Sequence, residues 1–187
     1  MAVHAPQPVE QSSAVVAEVL AWSASALEIS HPVFGGLPAC PFARAARLKD
    51  AIHFEVRAFS VDDPLELDGA LLRLVADFAL EDAAGRRETL FVVHPHRGAM
   101  SAVALERFVA RLDGRLRGVP RLAGLRVFEA HPESEFQVGG VYTRRGPYPS
   151  FQVLSHARLK ASSDSLQSTG YYDRFTPAML RAVGMPR

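Results

Sequence analysis

The chain has 187 residues, 48% of them hydrophobic and 22% charged. That is ordinary globular usage and enough chain to bury one core without disulfides or metal staples. Formal charge is +1, which excludes a strong field for nucleic acid or an anionic membrane. Apolar runs are far too short for a spanning helix, and MAVHAPQPVEQSS lacks the pattern of a secretory signal. A single cysteine leaves no internal disulfide and makes the cytoplasm the expected compartment. Arg supplies 19 of the cations and Lys only 2, and guanidinium forks suit bidentate carboxylate or phosphate recognition.

Residues 1–11 read as a polar tail and 12–187 as a single globular domain. Residues 12–29 predict a helix with Ser12 or Ser13 as its cap and Val15, Val19, Trp22 and Leu27 inward. A loop punctuated by Pro32, Gly35, Gly36 and Pro38 follows. Pro41 in a first turn then makes Cys40 the expected cap of a second helix. Residues 52–59 alternate, with Ile52, Phe54, Val56 and Ala58 on one face of a strand. Asp62 or Asp63 before Pro64 opens a helix to about Leu80, with Leu67, Leu71, Leu74, Val75 and Phe78 inward. Thr89–Val93 is a continuous apolar run, as in a strand buried on both faces. Ser101 caps the next helix, with Leu105, Phe108, Val109, Leu112 and Leu116 inward. Leu125–Ala130 and Ser150–Ser155 complete four strands. Between them, 132–149 reads as a loop with Gly139 and Gly140 as its hinge. The C-terminal part holds one or two short helices, ending near Gly184. This order predicts an α/β or α+β sandwich: a four-stranded mixed sheet, with parallel β-α-β pairs covered by helices. A ferredoxin-like arrangement is the specific expectation.

Two strands end in His-Pro, at His94 and His131. With parallel strands both rings come to the carboxyl edge of the sheet, where open α/β sheets bind ligands. The plain alternative is two strand-end rings bonded to backbone carbonyls. His96 is a candidate third ligand or a loop residue. Cys40 at a helix N-terminus would carry a low-pKa thiol; the alternative is a buried, inert cysteine. The segment Val141–Phe151 is the densest in functional groups. Tyr142 and Tyr148 offer hydroxyls, and Arg144 and Arg145 offer anion-binding forks. The alternative is a surface loop with its arginines solvated or paired to Glu133 and Glu135. No phosphate-binding glycine loop, GxSxG or HExxH is present.

In combination these segments resemble the bacterial domain of unknown function family 1415. The likeness rests on Cys40-Pro41-Phe42-Ala43, His94-Pro95, His131-Pro132 with Phe136, and Tyr142, Thr143, Arg145, Pro147, Tyr148 and Pro149. It covers about residues 15–184. Arg144 and Gly146 stand where relatives usually have Asn and Ser, and the stretch from Phe136 to Tyr142 is shorter. The resemblance supports the choice of residues and implies no reaction.

Three functions compete. In the first, His94 and His131 bind a transition metal (Fe, Cu or Zn) or haem, with Cys40 or a carboxylate as a third ligand. Arg144 and Arg145 then anchor a carboxylate-bearing metabolite, and Tyr142 or Tyr148 moves a proton, with oxidoreductase chemistry as one outcome. In the second, Cys40 is a metal-free nucleophile with a His base. In the third, the Arg/Tyr loop binds an anion or a partner without catalysis. The expected partner is a small molecule, with neither nucleic acid nor membrane involved. All six of Cys40, His94, His131, Tyr142, Arg145 and Tyr148 are expected around one pocket.

Overall fold

The structure is a computed structural model that describes residues 8–63 and 69–185. The expected tail over residues 1–7 and the helix start at Pro64–Asp68 lie outside the described residues. Helix α1 spans Pro8–Trp22 and continues as one π-helical turn, Ser23–Leu27. It begins four residues before the expected start, so Ser12 and Ser13 lie inside it. Helix α2 is Ala43–Leu48, strand β1 Ile52–Val56, helix α3 Ala70–Ala83 and strand β2 Thr89–Val93. Helix α4 is Ala102–Arg117, capped by Ser101, whose Oγ accepts the Ala104 amide at 3.2 Å. Strand β3 is Leu125–Ala130, β4 is Gln137–Val138, β5 is Val141–Tyr142 and β6 is Ser150–Ser155. Helices α5 (His156–Leu166) and α6 (Pro177–Ala182) follow. Among the described residues no helix is long and apolar enough to cross a membrane.

The four long strands form one mixed sheet in the order β1-β2-β6-β3. β1 and β2 are parallel, while β6 runs antiparallel to both β2 and β3. It follows that β1, β2 and β3 all point the same way and end at one edge. The β2–α4–β3 crossover is split by β6, but β1–α3–β2 is unsplit. A ferredoxin-like fold is the split βαβ arrangement, so that finer expectation is not confirmed; the four-stranded mixed sheet is.

The apolar run of β2 explains its central place. Leu90 and Val92 enter a core with Leu71, Val75 and Phe78 of α3 and Leu105, Phe108, Leu112 and Leu116 of α4. Val93 turns to the opposite face and meets Val15 and Val19 of α1. Phe151 of β6 is fully buried on the α3/α4 side, edge-on to Phe59 with ring centroids 5.4 Å apart. Strand β1 stops at Val56 rather than at residue 59, yet Phe59 still turns into this core. A third cluster joins Phe34, Val138, Leu166 and Tyr171.

The stretch 132–149, expected to be a loop, contains a hairpin. Gln137 pairs with Tyr142 and Val138 with Val141. Gly139 and Gly140, with φ 55° and 85°, form its two-residue turn, the backbone that glycine adopts most readily. They are a tight turn and not a hinge. A Cβ on Gly139 would come within 3.0 Å of Val33.

Arg144 ties the C-terminal region to the sheet. It pairs with Glu129 of β3, and both side chains are nearly buried, at 13% and 12% exposure. Its Nη2 also donates to the Ala182 carbonyl at 2.7 Å, and its guanidinium lies 4.2 Å over the Phe136 ring. Removing one partner of such a pair strands a charge in a poorly solvated place. Arg144→Ala is expected to lower stability by about 3 kcal/mol and Tm by roughly 6–12 °C. Arg144→Met combined with Glu129→Leu is expected to recover most of that loss. Urea and thermal unfolding of the three proteins check this; a double variant as weak as the single would refute the ion-pair explanation.

Candidate functional site

Register places the two strand-end histidines. Val93 and Ala130 both lie opposite Ser150 of β6. His94 and His131 are therefore each one residue beyond a strand end, on either side of β6. Two strand spacings separate those positions, about 9–10 Å. The His94 amide donates to the Pro149 carbonyl at 2.9 Å and the His131 amide to the Arg144 carbonyl at 2.9 Å. The expectation that both reach one carboxyl edge agrees with this geometry.

Both rings are buried, at 6% and 2% exposure. In both, Nδ1 accepts the backbone N–H two residues on. The His96 amide reaches His94 Nδ1 at 3.1 Å, and the Glu133 amide reaches His131 Nδ1 at 3.0 Å. The third His-Pro in the chain does the same: the Val33 amide donates to His31 Nδ1 at 3.1 Å. Proline holds the preceding His extended, and the ring then closes a turn as an Asx side chain does. With an amide N–H aimed at Nδ1, the neutral ring carries its proton on Nε2. His131 spends that proton on the Met100 carbonyl, 2.9 Å away. His94 lies edge-on to Phe59, with ring centroids 5.4 Å apart. Among the described residues its Nε2 has no hydrogen-bond partner. Burial pushes the His94 pKa below the ordinary imidazole value. His96 is exposed, with its ring 5.7 Å from that of His94.

The remaining candidates do not share this place. Cys40 is not a helix cap; Phe42 holds that position, and α2 begins at Ala43. Cys40 is half-buried beside Ala39, whose carbonyl accepts from the Tyr171 hydroxyl. Desolvation pushes its thiol pKa up, outweighing the Phe42 and Ala43 amides that reach the sulfur. Cys40 thus lacks the cap position expected at this helix start, and its surroundings favour the protonated thiol. Arg144 is occupied internally, as described above. Arg145 donates from Nε to the Ser134 carbonyl at 2.9 Å and stacks on Tyr142, 3.4 Å from the ring centroid. It approaches Glu135 only at 3.7 Å, and its side chain is 40% exposed. Tyr148 belongs to the α1 face: it is buried with Val15, Val19 and Val93, and its hydroxyl donates to Glu18 at 3.1 Å. His94 and Tyr148 thus flank the sheet edge from opposite faces, so the six expected residues do not line one pocket.

The residues present do not fit a metal held by His94 and His131. A histidine ligand usually donates its second ring N–H outward to an acceptor; here the second nitrogen faces a donor. Among the described residues no group of three or more His, Cys, Asp or Glu is placed to hold a metal ion. Sequence reading missed Glu18 and Arg97, which meet Tyr148. It also missed the repeated turn, for which His31-Pro32 was the available signal.

Comparison with known proteins gives one finding. No curated protein and no solved structure matches this chain. A family model described as a protein of unknown function, DUF1415, matches residues 29–177. That match covers the whole sheet, all three His-Pro turns, Cys40 and the Arg/Tyr segment, and the chain belongs to this family.

Proposed function

We propose that the protein binds a small anionic, carboxylate-bearing metabolite at the carboxyl edge of its sheet and acts on it, with His94 as a neutral hydrogen-bond donor. One observation carries this reading. His94 is a buried ring whose Nδ1 is taken and whose Nε2–H has no acceptor among the described residues. That nitrogen is not sealed in: among the described residues the buried side-chain atom without a partner is Arg158 Nε, so the His94 Nε2–H is open to a water or ligand oxygen. A neutral imidazole N–H fixed by its surroundings suits the polarisation of a carbonyl, or the holding of a carboxylate, as charge develops on oxygen. Such a ring does not supply a base or a metal ligand at Nε2. His131, both nitrogens spent, is a positioning residue that holds the Met100 segment ahead of α4.

The test is nitrogen and proton NMR of protein labelled in its histidine rings. Both buried rings are expected as the Nε2–H form. A series of small mono- and dicarboxylates is then titrated in. A binder is expected to shift the His94 Nε2 proton downfield, leave His131 in place, and fail to bind His94→Asn. A His94 ring protonated at Nδ1, or one unmoved by every member of the series, would sink the reading.

The same ring sets a pH dependence. Its pKa is lower in the folded protein than the unfolded value of 6.5. The stability that follows from this is fully present above about pH 6.5 and is lost as pH falls through the lower folded value. Protonation would also set an Nδ1–H against the His96 amide. His94→Asn retains an oxygen acceptor for that amide and does not titrate. Between pH about 6.5 and about 5, wild-type stability is expected to fall more steeply than that of His94→Asn. Parallel urea-midpoint curves for the two proteins would show that His94 is not buried neutral.

A further inference from the structure

The α1 face of the same edge carries polar groups that the His94 reading leaves unused. Glu18 of α1, Arg97 of the β2–α4 loop and Tyr148, two residues before β6, meet there. The Tyr148 hydroxyl donates to Glu18 Oε1 at 3.1 Å. Arg97 Nη2 pairs with Glu18 Oε2 and lies 3.4 Å from the Tyr148 hydroxyl. The guanidinium carbon sits 4.6 Å over the tyrosine ring. One carboxylate is thus held by a guanidinium and a phenol hydroxyl, a charge-assisted donor set for carboxylate recognition.

The three members are unequally anchored. Tyr148 is buried, whereas the Arg97 and Glu18 side chains are 57% and 47% exposed. Arg97 Nε and Nη1 have no acceptor among the described residues. Helix α1 is seated by Val15 and Val19, with Trp22 against the same cluster, so the Glu18 carboxylate can leave while the helix stays. An exposed ion pair contributes little net stability, and an outside carboxylate competes with it.

We propose that Arg97 and Tyr148 form a carboxylate-binding pair that Glu18 fills as an internal stand-in, and that the ligand's own carboxylate takes its place. This deepens the proposed function and rests on it for the nature of the ligand, but its test does not pass through His94. Acetate is the probe, titrated at constant ionic strength against sodium chloride and followed at the Arg97 Nε–H and Tyr148 ring resonances. Acetate is expected to bind Glu18→Ala saturably and roughly two- to fivefold more tightly than wild type, because the competitor is gone. Glu18→Ala with Arg97→Ala is expected to lose binding. Acetate that does no more than chloride in Glu18→Ala, or that binds the double variant equally, overturns the proposal. Should Glu18→Ala fail to fold, Glu18→Gln keeps the side-chain length without the charge and is read identically. Acetate bound at Arg97 while His94 answers no carboxylate would retain this pair and remove the His94 reading.

Discussion

The insertion of β6 between β2 and β3 is the constraint on which the rest depends. Ser150 pairs with Val93 on one side and Ala130 on the other. Its one hydroxyl proton is within reach of both the Ala130 and Tyr148 carbonyls, at 3.4 and 3.2 Å. Because β6 is antiparallel to both neighbours, the strands beside it leave the sheet together. Three chain segments are thereby forced to one edge: the two His-Pro turns and the approach to β6. The segment 143–149 must then cross between two buried histidines. That crossing places Tyr148 on the α1 face, while the rings of His94 and His131 serve the α3/α4 face.

The His-Pro turns give that edge its chemical polarity. A histidine whose Nδ1 donates to a carbonyl offers a lone pair at Nε2. A histidine whose Nδ1 accepts an amide offers a proton instead. All three turns here are of the second kind. The same strand-end histidines that suggest metal ligation in sequence thus become hydrogen-bond donors in the fold. His131 and His94 differ only in what lies beyond Nε2, a carbonyl in one case and no described partner in the other. That single difference separates a positioning residue from a candidate ligand-binding one.

Much of the architecture is legible in the sequence because it rests on local periodicity. The apolar run of Thr89–Val93, the helical spacing from Leu105 to Leu116 and the Ser101 cap all appear as expected. The shared edge of His94 and His131 is legible too, since a crossover helix joins two strands of the same direction. The β4–β5 hairpin is not, because strands of two residues have no periodicity; only Gly139-Gly140 between two valines marks it. Ring polarity is not legible either, since it depends on which nitrogen meets the amide two residues on. Nor is the Glu18–Arg97 pair, whose members lie 79 positions apart and meet only when α1 docks.

Arginine richness has a similar history. As composition it suggests an anion-binding protein, yet most of the ordered guanidinium groups serve the fold. Arg47 holds the buried Glu28 in a two-pronged bond at 3.0 and 2.7 Å, and this pulls the Glu28 pKa below the ordinary carboxylate value. Arg111 and Arg126 donate to backbone carbonyls, and Arg158 bridges Asp82 and Glu88. Arg144 and Arg145 are neighbours in sequence with opposite fates. Arg144 is walled in by Glu129, Phe136 and the Ala182 carbonyl. Arg145 keeps a stacked, half-open fork on Tyr142. Exposure on an aromatic ring, rather than the mere presence of a cation, is what distinguishes a site from a tie. By that measure Arg97 and Arg145 are set apart from the arginines that serve the fold: each lies on an aromatic ring with its outer edge toward solvent. An arriving anion would find a planar fork there, held in place by the ring beneath it.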